Sequence, residues 1–275
     1  MANTKNHFQK LSQPVRPKKF FGQHFLKDET IAQKIADALN YEAFDKLIEI
    51  GPGTGMLTKF LLKKPVELFA FEIDKDSIAF LNEHILNPLE NQSRFKIIDQ
   101  DFLKADLETI LDDDSFGIIG NFPYNISSQI LFKTIELRNV VPEFAGMFQK
   151  EVAKRICAES GNKTYGILSV LTQAFYETKY LFTVKPQVFN PPPKVDSGVI
   201  KLTRRENYKL DCDEKLFFKV VKTAFQQRRK TLRNSLKTFN LSDNLKSDLI
   251  FAQRPERLSY QDFVDLTQKI AKDAV

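Results

Sequence analysis

The chain has 275 residues, 42% hydrophobic and 28% charged, the make-up of a folded protein with room for one large domain and a small companion. No apolar run approaches bilayer-spanning length and no hydrophobic leader follows the start, so a cytoplasmic protein is expected; Cys157 and Cys212 make no disulfide framework, and His7, His24 and His84 share no metal-ligand spacing, so no metal is expected. The net charge of +6 is modest, and its distribution is more informative than its size.

Residues 1–27 form a basic arm with six Lys or Arg, Lys18 and Lys19 among them, and no acid. Asp28 then caps an amphipathic helix, DETIAQKIADALN, expected to pack on the edge of a sheet. KLIEI (46–50), ELFAFEI (67–73), RFKIID (94–99), FGIIG (116–120) and EFAGMFQ (143–149) read as short buried strands. Helical patterns separate or follow them at roughly 54–63, 76–87, 127–137, 151–159 and 166–175. This alternation predicts an α/β fold over residues 28–205, a mostly parallel sheet covered on both faces and closed by SGVIKLTRR. From residue 206 to 275 the spacing is helical throughout, with Asp213, Ser242 and Ser259 as caps and Asp262 three residues after Ser259, which predicts a small all-helical domain. Residues 204–239 hold eleven basic and four acidic side chains, including Arg228, Arg229, Lys230 and Arg233. With +6 and +7 in these two segments the remainder is near −7, a polarity that suits localised contact with a polyanion, although solvated helix faces give the same count.

EIGPGTG follows the first main strand and opens a helix, so Gly51, Gly53 and Gly55 allow a tight turn and close approach of a ligand. Met56 breaks the dinucleotide register and no Gly-Lys-Ser/Thr follows, which excludes a Walker loop. Glu49 would repel a pyrophosphate but tolerates the cationic amino and sulfonium groups of S-adenosylmethionine. Glu72, 21 residues after Gly51 and followed by Ile73, is placed to accept ribose hydroxyls. After the third strand, Asp101 can accept from an adenine amine while Phe102 lines the ring; Asp101 as a cap for the next turn is the plainer alternative.

Asn121, Phe122, Pro123 and Tyr124 form a stiff corner after the fourth strand. A nucleobase amine is conjugated and weakly nucleophilic, and an amide oxygen together with the Phe122 carbonyl can accept its two hydrogens and orient its lone pair. Pro123 holds Phe122 extended, and Tyr124 offers a face to a base that has left its helix. A structural turn with buried aromatics is the competing explanation. In VFNPPPKVDSGVI, Phe189 is placed to close the other face of the base, with Pro191 to Pro193 stiffening the segment.

Together KKFFGQHFL, EIGPGTG, FEID, DQDFL, NFPY, FNPPPKVDS and FQQRRKTLRNSL resemble the ribosomal RNA adenine dimethyltransferases over nearly the whole chain, in particular those acting on the bacterial small subunit. The resemblance implies a Rossmann-like class I S-adenosylmethionine-dependent methyltransferase domain. It also implies transfer of four methyl groups to two adjacent adenosines in the 3′-terminal hairpin loop of 16S rRNA, within an immature small subunit. By the same resemblance Gln23, His24, Phe25 and Leu26 touch the cofactor, Gly51 and Gly53 shape its pocket, and Asn121, Tyr124 and Phe189 hold the base. Phe122 stands where leucine is usual and His24 where asparagine is frequent. Nothing in the sequence demands more than a monomer. Three rivals remain in view: a 23S rRNA adenine methyltransferase of the macrolide-resistance type, a non-catalytic assembly factor that keeps the fold, and a small-molecule methyltransferase, which the basic ends disfavour.

Overall fold

The computed structural model describes residues 15–112 and 114–273. Lys5 and Lys10 of the basic arm lie outside the described residues. The strands are β1 (Phe25–Leu26), β2 (Lys46–Ile50), β3 (Glu67–Glu72), β4 (Phe95–Asp99), β5 (Phe116–Asn121), β6 (Glu143–Gln149), β7 (Tyr176–Val184), β8 (Phe189–Asn190) and β9 (Ser197–Arg204). Seven of them form one sheet in the order β4-β3-β2-β5-β6-β9-β7. The run from β4 to β6 is parallel, and β9 and β7 close the sheet antiparallel. The long β7 was not expected: its pattern of burial is irregular and it bulges between Tyr180 and Phe182, so no clean alternation announces it.

Alternation along the central strands divides the core. Ile48, Phe69, Ile118 and Phe144 face one apolar layer, while Leu47, Leu68, Ile119 and Ala145 face the other, as a doubly covered sheet requires. Helices α1 (Glu29–Ala36), α2 (Thr58–Leu61), α3 (Lys75–Leu81), α4 (Leu107–Leu111), α5 (Ser127–Glu136), α6 (Lys150–Ile156) and α7 (Ile167–Gln173) lie between the strands. Asp28 caps α1 through its bond from the Ile31 amide, as expected. The buried face of α1 joins the apolar layer that contains Ile119 and Met147 of the central strands. The helix expected over 54–63 is regular only over Thr58–Leu61, because Gly53 and Gly55 hold positive φ and spend the first turn as a loop.

Helices α8 (Glu214–Gln226), α9 (Leu232–Ser235), α10 (Asp243–Lys246) and α11 (Tyr260–Asp273) follow. Asp213 and Ser242 cap α8 and α10, and Ser259 and Asp262 exchange bonds at the start of α11. Phe217, Val220 and Phe263 belong to the same apolar layer as Val170 and Phe175, so the helical part is packed onto the sheet part through α7. Among the described residues no helix is long and apolar enough to cross a membrane.

Candidate active site

The carboxyl ends of β2, β3, β4 and β5 open on a cavity of about 350 Å³, within the range of small-molecule sites. Its walls bring together residues from five stretches of sequence: the arm, the glycine loop, the end of β3, the turn after β4 and the corner after β5.

Gly51 and Gly53 take φ of +69° and +56°, open to glycine and costly for other residues. A Cβ on Gly53 would lie 2.8 Å from the Phe25 ring, and one on Gly51 would lie 3.7 Å from Pro123 Cδ. The loop is therefore in contact with the arm on one side and the corner on the other. Glu72 fixes it from behind: one carboxylate oxygen accepts from the Gly53 amide (3.1 Å), and the other from the amides of Ile73 (2.8 Å) and Asp74 (3.0 Å). Burial raises the Glu72 carboxyl above its ordinary value, and these three amides oppose the shift. Asp101 lines the cavity, and its Oδ1 accepts from the Leu103 amide at 3.0 Å, so it caps the local turn while facing the site. Phe102 and Ile73 supply apolar wall, Phe102 resting edge-on against Phe71.

At the corner, Asn121 Nδ2 donates to the His24 carbonyl at 2.9 Å, which leaves the amide oxygen as the acceptor end. The Phe122 ring points into the core, stacked on Phe144 with centroids 5.2 Å apart. It occupies the space a Cβ would take on Gly120 or Gly146. This leaves Phe122 only its backbone to offer the site. The Tyr124 ring lies against His24 (centroids 5.6 Å apart, planes 31° apart), and its hydroxyl bonds Ser197 Oγ at 2.6 Å. Burial pushes the phenol above its ordinary value, with the Ser197 bond partly opposing.

The arm is fastened over the cavity. β1 pairs with β8, Leu26 opposite Phe189. Gln23 donates to Asp74 (3.0 Å) and accepts the Lys18 amide (2.8 Å), and Lys18 Nζ pairs with Asp74 (2.5 Å) and Asp76 (2.8 Å). His24 Nδ1 bonds the Pro191 carbonyl at 2.7 Å, so that nitrogen carries the proton.

Several expected site residues stand elsewhere. Phe189, expected to close one face of the base, is 1% exposed in the same apolar layer as Ile119 and is not among the residues lining the cavity. Leu26 is buried with it. Gly55 makes room for Ile85, whose Cδ1 would lie 2.0 Å from a Cβ there, and so serves packing. Glu49 is 1% exposed beneath the loop, accepting from Thr58 Oγ1 at 2.7 Å, and reaches only a narrow crevice behind it. Lys18 is an arm anchor and not a free cation. Arg228 donates to the carbonyls of Asn162 and Lys163, and Arg233 to that of Lys246, whereas Lys19, Arg229 and Lys230 are exposed. Phe21, Gly22, Gln100 and Asn125 also line the cavity; the first two lie within KKFFGQHFL, Gln100 within DQDFL, and Asn125 directly follows NFPY.

A nucleoside-sized cleft at the carboxyl ends of parallel strands, with an amide oxygen presented beside it, is a ligand site of the Rossmann-like kind, and the relatives of the chain are S-adenosylmethionine-dependent methyltransferases of that fold. A model of the family described as Ribosomal RNA adenine dimethylase matches residues 15–272, and the chain belongs to that family. It is 60% identical over 261 residues to the Ribosomal RNA small subunit methyltransferase A of Flavobacterium johnsoniae, covering 95% of this chain and 98% of that one. It is 53% identical over 260 residues to the protein of the same name from Cytophaga hutchinsonii (94% and 98% covered). Among solved structures, a dimethyladenosine transferase from Plasmodium falciparum superposes with a TM-score of 0.78 at 28% identity, covering 92% of this chain and 99% of that one. The 23S rRNA methyltransferase ErmE shares the fold, with a TM-score of 0.68 at 22% identity over 89% of this chain and 99% of that one.

Proposed function

We propose that the chain converts two adjacent adenosines in the 3′-terminal hairpin loop of 16S rRNA to N6-dimethyladenosines, acting as a monomer in the cytoplasm on an immature small subunit. The observation that carries the reading is the Asn121 amide, pinned through its nitrogen to the arm with its oxygen end left for an exocyclic amine. The names of the relatives support the small subunit as substrate.

S-adenosylmethionine fits the cavity by its size and lining: about 350 Å³ bordered by two carboxylates, Glu72 and Asp101, and by the apolar Ile73 and Phe102, which suits a ribose joined to a flat base. Glu72 would take its ribose, Asp101 with Phe102 and Ile73 its adenine, and the backbone of Gly51 its amino-acid end. When bound it supplies an electrophilic methyl group. The protein's part is then orientation and exclusion of water. Asn121 Oδ1 and the Phe122 carbonyl accept the two hydrogens of the amine, and Tyr124 covers one face of its ring. Lys19, Arg229 and Lys230, with residues 206–275, would contact the RNA backbone.

The test is methylation of undermethylated small subunits with labelled S-adenosylmethionine, followed by mapping of modified nucleosides. Two neighbouring dimethyladenosines near the 3′ end of 16S rRNA are expected. Label confined to 23S rRNA, or no transfer at all, would overturn the assignment.

A further inference from the structure

We infer that Ser197 is a positioning residue for methyl transfer, locking the ring of Tyr124 against the cavity; the inference rests on the proposed reaction. Ser197 opens β9 between two strands, opposite Gln149 of β6 and Val184 of β7, and is 0% exposed. The four residues from Ser197 to Ile200 are all buried, and serine is the polar one among them. A hydroxyl buried there is costly unless it is hydrogen-bonded, and the bond it makes is to the hydroxyl of Tyr124, 73 residues away.

The neighbouring backbone cannot give way. The Lys150 amide donates to the Asp196 carbonyl at 2.9 Å, and Lys150 and Lys185 both pair with Asp196 Oδ2 at 2.9 Å. On the other side a Cβ on Gly198 would meet Tyr180 at 2.7 Å and Ala153 at 2.8 Å. The anchor is thus rigid, whereas Tyr124 sits in a loop at the mouth of the cavity. Its ring is held at the tip by Ser197 and on one side by His24, with Phe189 turned away into the core. Orientation of the aromatic wall therefore depends on a hydroxyl that touches neither donor nor base. Orientation of the base in turn sets the aim of its amine at the methyl group.

The test is a double-mutant cycle on Ser197→Ala and Tyr124→Phe, read as kcat with undermethylated small subunits and saturating S-adenosylmethionine. Each single change should lower kcat about tenfold, and the double change should be no worse than either, because both remove one hydrogen bond. Affinity for S-adenosylmethionine by calorimetry should stay within about twofold of wild type, and Ser197→Thr, which keeps the hydroxyl, should recover most of the rate. A wild-type rate in Ser197→Ala, or a double variant about a hundredfold down, would overturn the inference. Fluorine NMR of 3-fluorotyrosine at position 124 reads the ring without catalysis: fixed signals should be seen in the wild-type protein and averaged ones in Ser197→Ala. Identical spectra would count against the lock. Failure of the wild-type enzyme to methylate small subunits would instead overturn the proposed reaction and leave the spectra to decide the ring's restraint.

Discussion

Asn121 and His24, 97 residues apart, are joined by a 2.9 Å bond from the Asn121 side-chain nitrogen to the His24 carbonyl. The bond ties the corner after β5 to the arm that roofs the cavity and leaves the oxygen of the Asn121 amide as the end available to a substrate amine, as the proposed reaction requires. Asn121→Ala should therefore lower methyl transfer about a hundredfold, the scale for losing a preorganised polar group at a reacting centre. Affinity for S-adenosylmethionine should fall far less. Single-turnover transfer beside equilibrium binding checks this, and near-normal transfer would remove the orienting role.

Glu49 gives a pH prediction. Burial raises its carboxyl from the ordinary 4.5 to about 8; the Thr58 bond opposes the shift and the Glu72 charge adds to it. The folded chain thus holds a proton that the unfolded chain has lost, so this contribution is whole below about 4.5 and disappears as pH climbs through about 8. Glu49→Gln should flatten the melting temperature across that window and should melt above wild type at pH 9. Parallel curves would show the carboxyl to be already ionised.

The parallel strands and the glycine loop were legible because each is a local pattern: apolar runs of five or six residues, and glycines where a turn needs positive φ. The cavity wall was legible in part for the same reason, since Glu72 and Asn121 each end a strand, Asp101 lies two residues beyond the end of another, and strand ends converge in this fold. What was hidden depends on partners distant in sequence. Lys18 reads as a free cation until Asp74, 56 residues on, is placed beside it. Phe189 reads the same in a wall as in a core, and the two-residue pairing of β8 with β1 has no periodicity to reveal it. Gly55 looks like a third ligand glycine until Ile85 occupies its side-chain space.

Phe122 and Gly146 form a size-matched pair. A Cβ on Gly146 would stand 2.1 Å from the Phe122 ring. Gly146→Ala should cost about 1–3 kcal/mol or more, as overpacked cores do. Adding Phe122→Leu should return part of that loss, although the Gly120 carbonyl, 2.9 Å from the added atom, stays close. Denaturant melts of the two singles and the double decide, and simple additivity would show that the ring is not the obstacle.

The Asp74 carboxylate, its side chain fully buried, holds both Lys18 and Gln23. Burial alone would raise its pKa, but these two partners and the Asp76 amide hold it below the ordinary value. Its contribution to stability is accordingly present above the ordinary carboxylate range and is lost as pH falls through the depressed value. Asp74→Asn should loosen the arm and weaken S-adenosylmethionine binding about tenfold, since bonds to charged groups contribute ~1.5–3 kcal/mol. Limited proteolysis should then cut near residues 15–24 faster than in wild type. Unchanged cleavage and affinity would show that β1 pairing alone secures the arm.

The exposed Arg229 and Lys230 separate two roles that the basic run FQQRRKTLRNSL merges. Arg228, bonded to the loop at Asn162 and Lys163, and Arg233, bonded to Lys246, are placed to brace the helices. Arg229 and Lys230 make no such bond among the described residues and face solvent beside them. If these two meet RNA phosphates, Arg229→Glu with Lys230→Glu should weaken binding to undermethylated small subunits and lower the slope of log affinity against log salt by about 2. The melting temperature should hardly move. Arg228→Ala should do the opposite, lowering the melting temperature while leaving the salt slope nearly as it was. A pair of variants that behaved alike in both measurements would show that the run acts as one undivided charged surface, with no division between bracing and contact.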